Sequence, residues 1–476
     1  MASPAPHPRN PCNPWPLCLF PAASAPLRET LFVPLHGDSQ PMSTVNIHIH
    51  EVTRVEGHGD VVLRAKDGEI VELKWAVTEA PRFFEAMFRG RSWRDASYLG
   101  SRICGICAVA HASTSVRATE EAFGIQISPT DLKFRTLNYH GEMLESHVLH
   151  VMFLVAPDAF KAPSVLPLAA SHPEAVKMAL RLKKMGNMIS DVVCGRKLHP
   201  VSLVPGGFTA LPSVKQMREL QKYVDARESD IKMMVDTVVS VVPLFPDYLV
   251  NFERETEFIS LTHPDEFALY RGDIRSTDTG KVTDHREYKK VIKERIVPHS
   301  TAKWTSSQRS SFAVGALARC NNNAAQLNKE AQAVAAAVGF KPVVHKPFYN
   351  NVAQLIETVH CYYEAKRLIA QLLDEGWTHE PPQVKPRAGR GVGVCEAPRG
   401  LLIHDYTYDD NGIITEANCI VPTCENHGSI EDDIRVLAPQ IIHKPQPEIT
   451  HCLEMLVRTY DPCISCSVHM LNVRFV

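Results

Sequence analysis

The alternation of apolar and polar positions predicts strands near the start of the chain. Val45, Ile47 and Ile49 alternate with polar residues, which predicts a first strand. Two β-rich runs within residues 61–77 then flank Asp67-Gly68, a dipeptide typical of a tight hairpin turn. This part of the chain is therefore predicted to form a small antiparallel sheet.

Helical patterns dominate after Pro81. The first predicted helical stretch runs from there, through a C-x-x-C, to about Phe123. Helix starts are predicted at Ser128-Pro129, at His172-Pro173 and at Ser213, the last opening one long helix to about Val242. Further helices are predicted over 309–337, 350–376, 429–438 and 447–459.

Two regions lack a long helical period. Residues 243–308 contain Pro, Gly and short β-like pieces and are expected to be peripheral, and residues 390–414 predict a loop with short strands. The predicted fold class is α+β and mainly helical. It has a long helical core and a small β-layer at the N-terminal edge.

Residues 1–41 differ in composition from the rest. Ten of them are proline, which fixes φ and lacks a backbone donor, so this segment is predicted to be a disordered extension. Met42 is a candidate start site. A targeting peptide is the weaker alternative, because no apolar segment follows a basic one.

Composition excludes several classes of protein. The net charge is −2, which argues against nucleic acid or an acidic membrane surface as partner. Apolar stretches such as 148–156 fall short of the roughly 20 residues of a membrane-spanning helix. Thirteen cysteines without a clean secretory signal indicate reduced thiols and a cytoplasmic location.

Two C-x-x-C pairs, Cys104/Cys107 and Cys463/Cys466, provide the chemistry that needs explaining. Thiolates are soft ligands for zinc, iron–sulfur clusters and nickel. A structural zinc site usually joins pairs within about 15–20 residues, whereas 463 − 104 = 359 positions separate these. Neither pair lies in a βαβ pattern of the thioredoxin type. Spacing alone leaves a metal site and coincidence both open.

The residues around the cysteines distinguish these possibilities. Arg102-Ile-Cys-Gly-Ile-Cys107-Ala-Val-Ala-His111 and Asp461-Pro-Cys-Ile-Ser-Cys466-Ser-Val-His469 resemble the two metal-binding signatures of nickel–iron hydrogenase large subunits. The resemblance covers Met42 to His469. It includes further family motifs: Arg54-Val-Glu56-Gly-His58, Phe84-Glu85 to Arg91, Glu396-Ala-Pro398-Arg399-Gly400 and Val421-Pro422-Thr423. The sequence around Arg399 and Cys466 is most similar to that of the cytosolic, bidirectional branch of the family, which is linked to NAD(P), the deazaflavin F420 or heterodisulfide reductase.

The resemblance implies a nickel–iron centre and reversible heterolytic cleavage of H2. Cys104, Cys107, Cys463 and Cys466 would bind nickel, and Cys107 and Cys466 would bridge to an iron carrying carbonyl and cyanide ligands. Cys463 is the expected first proton acceptor. Glu56 matches the carboxylate of the family's proton relay, and burial can raise the pKa of a carboxyl group toward neutrality.

Other residues are implied to surround the metals. Arg399 would lie over the open site, with Asp461 as its charge partner. Pro422 and Thr423 would line the pocket for cyanide and carbonyl, and His111 would donate a hydrogen bond toward a bridging sulfur.

The resemblance also implies a processed C-terminus. Glu85 and His469 match a buried magnesium site in the family. The precursor would be cut between His469 and Met470, which makes residues 42–469 the catalytic domain and 470–476 a maturation propeptide.

Partners follow from what the chain lacks. It has no iron–sulfur pattern of its own, so electrons are expected to pass to an iron–sulfur small subunit and then to a diaphorase or reductase module. A maturation endopeptidase and nickel-insertion chaperones are also implied. The small subunit is expected to dock on an apolar surface around the Glu56–His111 region.

Two alternatives belong to other classes. One is a metal-free relative of the quinone-side subunit of respiratory complex I, and the other is a four-cysteine zinc protein; metal analysis separates them. Gly391-Val-Gly393 lacks the third glycine of a dinucleotide loop. The remaining His and Cys residues considered are assigned to packing: His140, His147, His150, His199, Cys194, Cys320, Cys361, Cys395, Cys419, Cys424 and Cys452.

Overall fold

A computed structural model describes residues 44–469 of the chain. The predictions for residues 1–41, for a start at Met42 and for the propeptide 470–476 lie outside these described residues. Within them, no helix is long and apolar enough to cross a membrane.

The predicted N-terminal sheet is confirmed. Strands β1 (Thr44–Ile49), β2 (Gly59–Lys66) and β3 (Glu69–Val77) pair antiparallel in that order. Asp67 and Gly68 connect β2 to β3 with φ of 53° and 86°. A two-residue turn of this kind matches the twist of the strands it joins.

The helices of the described chain are α1 (Phe84–Phe88), α2 (Trp93–Ser101), α3 (Ala108–Phe123), α4 (Pro129–Leu149), α5 (Ala156–Ala159), α6 (Val165–Ser171), α7 (Pro173–Cys194), α8 (Val214–Asp225), α9 (Glu228–Val241), α10 (Asp247–Val250), α11 (Ala316–Asn323), α12 (Lys329–Ala337), α13 (Tyr349–Glu375), α14 (Pro422–Ile441), α15 (Gln446–Thr459) and α16 (Ile464–Ser467). Short 3-10 turns cover Val242–Leu244, His285–Lys290 and Ala324–Gln326, and a π-helical turn covers His150–Val155.

The remaining strands are β4 (Leu203–Val204), β5 (Gly207–Phe208), β6 (Ile259–Thr262), β7 (Asp273–Ser276), β8 (Val282–Thr283), β9 (Lys293–Arg295), β10 (Trp304–Ser306), β11 (Gly389–Ala397), β12 (Gly400–Tyr408) and β13 (Ile414–Ile420).

Capping residues set the helix starts, as predicted. The Ser128 hydroxyl accepts the N–H of Asp131 at the start of α4, and Pro173 opens α7. Helices α4 and α7 cross closely at two glycines: a Cβ on Gly186 would lie 2.5 Å from the Gly141 carbonyl oxygen. These long helices and α13 form the helical part of the core.

Three predicted helices are interrupted. The stretch after Pro81 is divided into α1, α2 and α3, first by residues 89–92 and then by the first C-x-x-C. The predicted helix from Ser213 is two helices, because the Val224 carbonyl accepts the Tyr362 hydroxyl and the Arg227 N–H. The stretch from residue 309 becomes helical only at Ala316, because the N–H of Ala313 bonds to the Glu257 carbonyl.

A second sheet, of order β11-β12-β13, is largely buried and lies where the sequence predicted a loop with short strands; two of its strands are nine residues long. The glycines of β11 allow it to pack against α3. A Cβ on Gly391 would lie 2.0 Å from the Ala118 carbonyl oxygen, and one on Gly393 would lie 1.9 Å from that of Thr114. These glycines serve the packing of the sheet against α3.

The expectation that residues 243–308 are peripheral was wrong. Ile259, Leu261 and Ile274 are fully buried and pack into one apolar cluster with Val394 and Ile403 of the second sheet. Strands of four residues or fewer are too short to display a period, so their burial was not evident from the pattern. The observed fold is α+β and mainly helical.

Candidate metal centre

Each cysteine pair lies on a turn next to a short or interrupted helix. Cys104 and Cys107 occupy the break between α2 and α3, and Gly105 between them is exposed. The second pair follows α15, where Asp461 takes a positive φ of 50° and redirects the chain into α16. A non-glycine residue with this φ is uncommon and marks a constrained turn.

The fold brings the two pairs together. The four sulfur atoms lie within 4.8 Å of one another, and all four side chains are buried. The Sγ atoms of Cys104 and Cys463 are 3.7 Å apart, and those of Cys463 and Cys466 are 2.6 Å apart. The predicted four-cysteine site therefore exists as a geometric unit.

The thiols influence one another's ionisation. Although burial opposes it, hydrogen bonds from the other three thiols hold the pKa of Cys104 well below its ordinary value. The pKa values of Cys107 and Cys463 are raised, first by hydrogen bonding with Cys104. One negative charge among these thiols thus disfavours a second, so a bound cation is needed for all four to be thiolates.

This donor set fits soft, thiophilic metals. Four buried thiolates are typical ligands of zinc, nickel and iron, and unlike the oxygen ligands of Mg²⁺ or Ca²⁺. Among the described residues, the carboxylate of Glu56 contacts the thiol of Cys463. A proton acceptor beside a metal-binding thiol distinguishes this site from a purely structural one.

Glu56 is held against the second cysteine pair by both its backbone and its side chain. The Glu56 N–H donates to the Pro462 carbonyl (3.3 Å), and the Ile464 N–H donates to the Glu56 carbonyl (2.8 Å). The Cys463 thiol donates to Glu56 Oε2 over 3.2 Å, and that oxygen also accepts the Ser465 N–H (3.1 Å). This geometry permits direct proton transfer from the sulfur.

Arg399 and Asp461 form the predicted ion pair. Arg399 Nε donates to the Asp461 carbonyl (2.7 Å), and its terminal nitrogen donates to Oδ1 (2.8 Å). Both side chains are buried. Although burial opposes the charge, Asp461 and then the cysteines keep the pKa of Arg399 well above its ordinary value. A fixed positive charge therefore accompanies the thiols.

Pro422 and Thr423 lie at the start of α14, directly behind Cys463. Both are buried, and Thr423 Oγ1 accepts the Cys463 N–H over 3.0 Å. The hydroxyl proton of Thr423 is then available to another acceptor. This placement is compatible with the donor role that the sequence predicts for it.

His111 lies at the start of a buried chain of side chains. Its Nδ1 is 3.1 Å from His404 Nε2, and His404 Nδ1 is 2.6 Å from the Tyr406 hydroxyl, which donates to Ser115. Burial lowers the pKa of His111 to about 4, so the ring is neutral. Its Nε2 makes no hydrogen bond to a cysteine within residues 44–469, and the predicted bond to a bridging sulfur stays a prediction.

Glu85 and His469 meet as predicted, with a lysine the sequence did not indicate. Glu85 Oε2 is 2.8 Å from His469 Nδ1, and Lys303 Nζ donates to Glu85 Oε1 (2.8 Å). Although burial opposes it, these two partners lower the pKa of Glu85 to about 2. Among the described atoms, His469 Nε2 is buried without a partner.

Two further residues make contacts near the site that the sequence did not predict. His150, assigned to packing, bonds Gln354 (2.5 Å), whose amide donates to Asp461 (3.1 Å). Arg54, of the motif that contains Glu56, pairs with Asp158 and binds the Leu154 carbonyl in the π-helical turn. Such turns are frequent at functional sites. Arg54 belongs to the same motif as Glu56, and that motif could have indicated its role. His150 belongs to no motif that could have indicated its role.

The remaining histidines and cysteines agree with the packing assignment. His147 bonds Glu357 (2.8 Å), His199 bonds the Ser101 carbonyl (2.8 Å), and His140 is buried. The seven other cysteines named above are buried and free.

Arg82 ties the two cysteine turns together, and no motif pointed to it. Its guanidinium donates to the Ile103 carbonyl (2.7 Å), the Arg102 carbonyl (3.2 Å) and the Ser465 carbonyl (3.3 Å). Its backbone N–H donates to the Val468 carbonyl over 2.8 Å. One side chain thus holds both halves of the site in register.

We expect Arg82→Met to destabilise the protein by about 3 kcal/mol, because several charge-assisted bonds are lost, and to lower the metal content. Arg82→Lys retains the charge and one or two donors and should recover part of both. Denaturant unfolding and metal analysis measure the effects. Arg89→Met, at an exposed position, is the control. Equal stability and metal content in Arg82→Met and Arg89→Met would contradict the role.

Comparison with known proteins gives consistent similarities. A family model described as nickel-dependent hydrogenase matches residues 82–178 and 266–469. The alpha subunit of sulfhydrogenase 2 from Pyrococcus furiosus is 33% identical over 428 residues, 90% of this chain and 100% of that protein. The beta subunit of the NAD-reducing hydrogenase HoxS from Cupriavidus necator is 30% identical, over 89% of this chain and 94% of that protein.

A solved structure agrees with these relatives. The crystal structure of an NAD+-reducing NiFe-hydrogenase in the H2-reduced state matches with a TM-score of 0.81 and 28% identity, covering 90% of this chain and 100% of that one.

Proposed function

The chain belongs to the nickel-dependent hydrogenase family, and from this premise we propose how its residues share the work of splitting H2. It is the large, catalytic subunit of a nickel–iron hydrogenase, an oxidoreductase that acts on H2. The family and the retained cysteines exclude the two alternatives, a metal-free complex I-like subunit and a structural zinc protein. The proposal rests on one observation. The Glu56 carboxylate lies 3.2 Å from the sulfur of Cys463, which is one of the four clustered cysteines.

Cys104, Cys107, Cys463 and Cys466 would hold nickel, and Cys107 and Cys466 would also hold iron with carbonyl and cyanide ligands. Nickel and iron, when bound, polarise H2 so that it splits heterolytically. The Cys463 sulfur would take the proton and pass it to Glu56 Oε2 over their 3.2 Å contact. Glu56 then frees the sulfur for the next turnover. The reverse transfer would operate in H2 formation.

Arg399 would orient the proton and stabilise negative charge at the open side of the site. Its two bonds to Asp461 fix its direction, and burial strengthens its field because no water screens it. Thr423 and Pro422 would line the pocket of the inorganic ligands. His111 would donate to a bridging sulfur, with His404 fixing the ring orientation.

Metal analysis and infrared spectroscopy of the purified enzyme test this assignment. We expect nickel in the large subunit, iron in excess of nickel because the small subunit would carry iron–sulfur clusters, and infrared bands of carbonyl and cyanide. Zinc in place of nickel, or the absence of these bands from active enzyme, would contradict it.

We also propose that Glu85 and His469 take part in a magnesium site. The buried, unpartnered Nε2 of His469 supports a cation ligand there, and Glu85 is ionised. Lys303 contributes one positive charge to a pocket with two carboxylates, Glu85 and Glu294. The pocket therefore has negative charge available for a divalent cation.

The relatives are subunits of multi-subunit hydrogenases, which implies a small-subunit partner. We propose that it carries iron–sulfur clusters and docks where the first cysteine pair reaches the surface. Gly105 is exposed there, and Phe83, Met87 and Tyr98 on the preceding segment expose 44%, 41% and 57% of their surface. Aromatic residues and methionine are enriched at such interfaces. Co-purification of a smaller iron–sulfur protein is the expected result.

A diaphorase or reductase module would take the electrons onward in the cytoplasm. Relatives of this chain are named sulfhydrogenase, F420-non-reducing hydrogenase and NAD-reducing hydrogenase, and these names do not share one electron acceptor. Nickel-insertion chaperones and a maturation endopeptidase would complete the site.

We expect the mature enzyme to end at His469. The proposed magnesium site uses His469, whose side chain is buried. We therefore expect the chain to be cleaved directly after this residue, before Met470. Intact mass of the active subunit measures this directly. Residues 470–476 still attached in fully active protein would contradict the cleavage without affecting the four-cysteine site.

A further inference from the structure

A single buried carboxylate joins the two chain segments that carry Glu56 and Cys463. Asp158, in α5, binds the guanidinium of Arg54 through one oxygen and that of Arg458 through the other, the latter over 2.6 Å. Arg54 lies two residues before Glu56, and Arg458 lies five residues before Cys463. We propose that Asp158 is a positioning residue, which fixes the distance between Glu56 and Cys463 by holding both arginines.

The three residues Asp158, Arg54 and Arg458, called the Asp158 clamp, are shielded from water. The side chains of Asp158 and Arg458 are each 1% exposed, and that of Arg54 is 12% exposed. Hydrogen bonds between charged groups are stronger in such surroundings than in water, and removing one partner leaves a buried charge uncompensated. Both arginines are therefore held firmly on the one carboxylate.

Arg458 also binds the backbone of the segment that carries Glu56. Its guanidinium donates to the Thr53 carbonyl from Nε over 3.2 Å and from a terminal nitrogen over 2.9 Å. Glu454, one turn earlier in α15, accepts the N–H of Thr53 over 3.3 Å. Helix α15 thus holds the residue three positions before Glu56 by both its carbonyl and its N–H.

The π-helical turn connects the long helix α4 to the element that carries the clamp carboxylate. This turn covers His150–Val155 and is followed directly by α5, in which Asp158 lies. Arg54 donates to the Leu154 carbonyl of the turn and to Asp158. The arginine that Asp158 holds therefore also fixes the turn from which Asp158 projects.

The clamp is a second attachment between segments that already meet at the metal centre. Glu56 and Cys463 pair as an isolated parallel β-bridge, whose two backbone hydrogen bonds are 2.8 and 3.3 Å long. So short a bridge allows the two segments to rotate or slide, which would change the 3.2 Å contact between Glu56 and the Cys463 sulfur. Attachment at a second point prevents this movement.

Asp230 offers a matched control in another part of the fold. Its carboxylate also binds two arginines, Arg181 over 2.9 Å and Arg227 over 3.2 Å, and its side chain is 7% exposed. Its side-chain hydrogen bonds within residues 44–469 do not reach the cysteine turns or Glu56. The same Asp-to-Asn change can thus be made in a two-arginine pair with and without a connection to the metal centre.

The test uses the complete purified enzyme with Asp158→Asn and the control Asp230→Asn. Asparagine has nearly the shape of aspartate, but its one acceptor oxygen cannot replace the two that bind the arginines. We expect Asp158→Asn to slow exchange between D2 and solvent protons about 10-fold or more, with a larger solvent isotope effect. Metal content, the carbonyl and cyanide bands and the KM for H2 should not change, and Asp230→Asn should match the wild type throughout.

Arg54→Lys is a milder variant of the same clamp. Lysine keeps the positive charge, but its single ammonium group has to serve both Asp158 and the Leu154 carbonyl. We expect exchange between that of the wild type and that of Asp158→Asn. If Asp158→Asn does not retain its metals, Arg54→Lys decides in its place, and wild-type exchange in this variant would overturn the inference.

A double variant shows whether Asp158 acts through Glu56. Because Glu56→Gln already removes the proton acceptor, adding Asp158→Asn should slow exchange further by no more than about twofold. Losses that multiply in the double variant would overturn the positioning role. So would wild-type exchange in Asp158→Asn that retains its metals, or equal slowing in Asp158→Asn and Asp230→Asn.

This inference rests on the proposed role of Glu56, and the same measurements tell the two failures apart. If Glu56→Gln slows exchange while Asp158→Asn exchanges like the wild type, the relay is supported and the positioning role is wrong. If Glu56→Gln itself exchanges normally, the proposed function of Glu56 is wrong and the inference fails with it.

Discussion

The Cys463→Ser enzyme should lose H2 oxidation by about 10³-fold or more, since no part of the proposed chemistry survives the change. A serine hydroxyl remains protonated where a thiol ionises, and oxygen is a poor ligand for soft metals. Cys463 is the sulfur that contacts Cys104, Cys466 and Glu56 at once. H2-dependent dye reduction and nickel content measure the effect.

Cys194→Ser is the control for this substitution. Cys194 is buried, and its sulfur accepts the Asn138 amide over 3.0 Å, a bond that a serine oxygen can also accept. We expect this variant to retain activity and metals. Substantial H2 oxidation by Cys463→Ser would refute the proposed site, whereas equal losses in both variants would indicate a folding defect.

Glu56→Gln should slow exchange between D2 and solvent protons by about 10²-fold or more while leaving nickel and iron in place. Glutamine has nearly the same shape, and its amide oxygen can still accept the Ser465 N–H that Glu56 accepts at 3.1 Å. The amide cannot take up a proton at neutral pH. Exchange activity, metal content and the infrared bands are measured on the same sample.

Glu56→Asp tests whether the carboxylate or its position matters. Aspartate restores the acceptor but withdraws it by one methylene from Cys463, so we expect exchange between that of wild type and Glu56→Gln. Normal exchange in Glu56→Gln would contradict a relay through this residue, and loss of the metals would show that its role is structural.

Site residues that lie in motifs were predictable, whereas Arg82, whose guanidinium donates to main-chain carbonyl groups, was not. Glu56, Arg399 and the cysteines lie in short patterns with distinctive chemistry. Arg82 binds carbonyl groups 20 and 383 positions away, and any residue supplies a carbonyl. Its partners leave no signature in the sequence.

Tertiary contacts also explain why some helices were predicted to be longer than they are. The periodic pattern continues across Ala226 and Arg227, but the Tyr362 hydroxyl, 138 positions away, binds a carbonyl at the end of α8. A local period cannot register such a contact. The helix starts at Ser128 and Pro173 were correct because the capping residues are adjacent in sequence.

The 359 positions between Cys104 and Cys463 impose an order on biosynthesis. At ordinary ribosomal rates the second pair is made about 20 to 70 s after the first. During that interval Cys104 and Cys107 are thiols without their partners, open to oxidation or to capture by other metals. Cells that make this protein therefore need to deliver nickel after translation, to a nearly complete chain, and to keep the early thiols reduced until then.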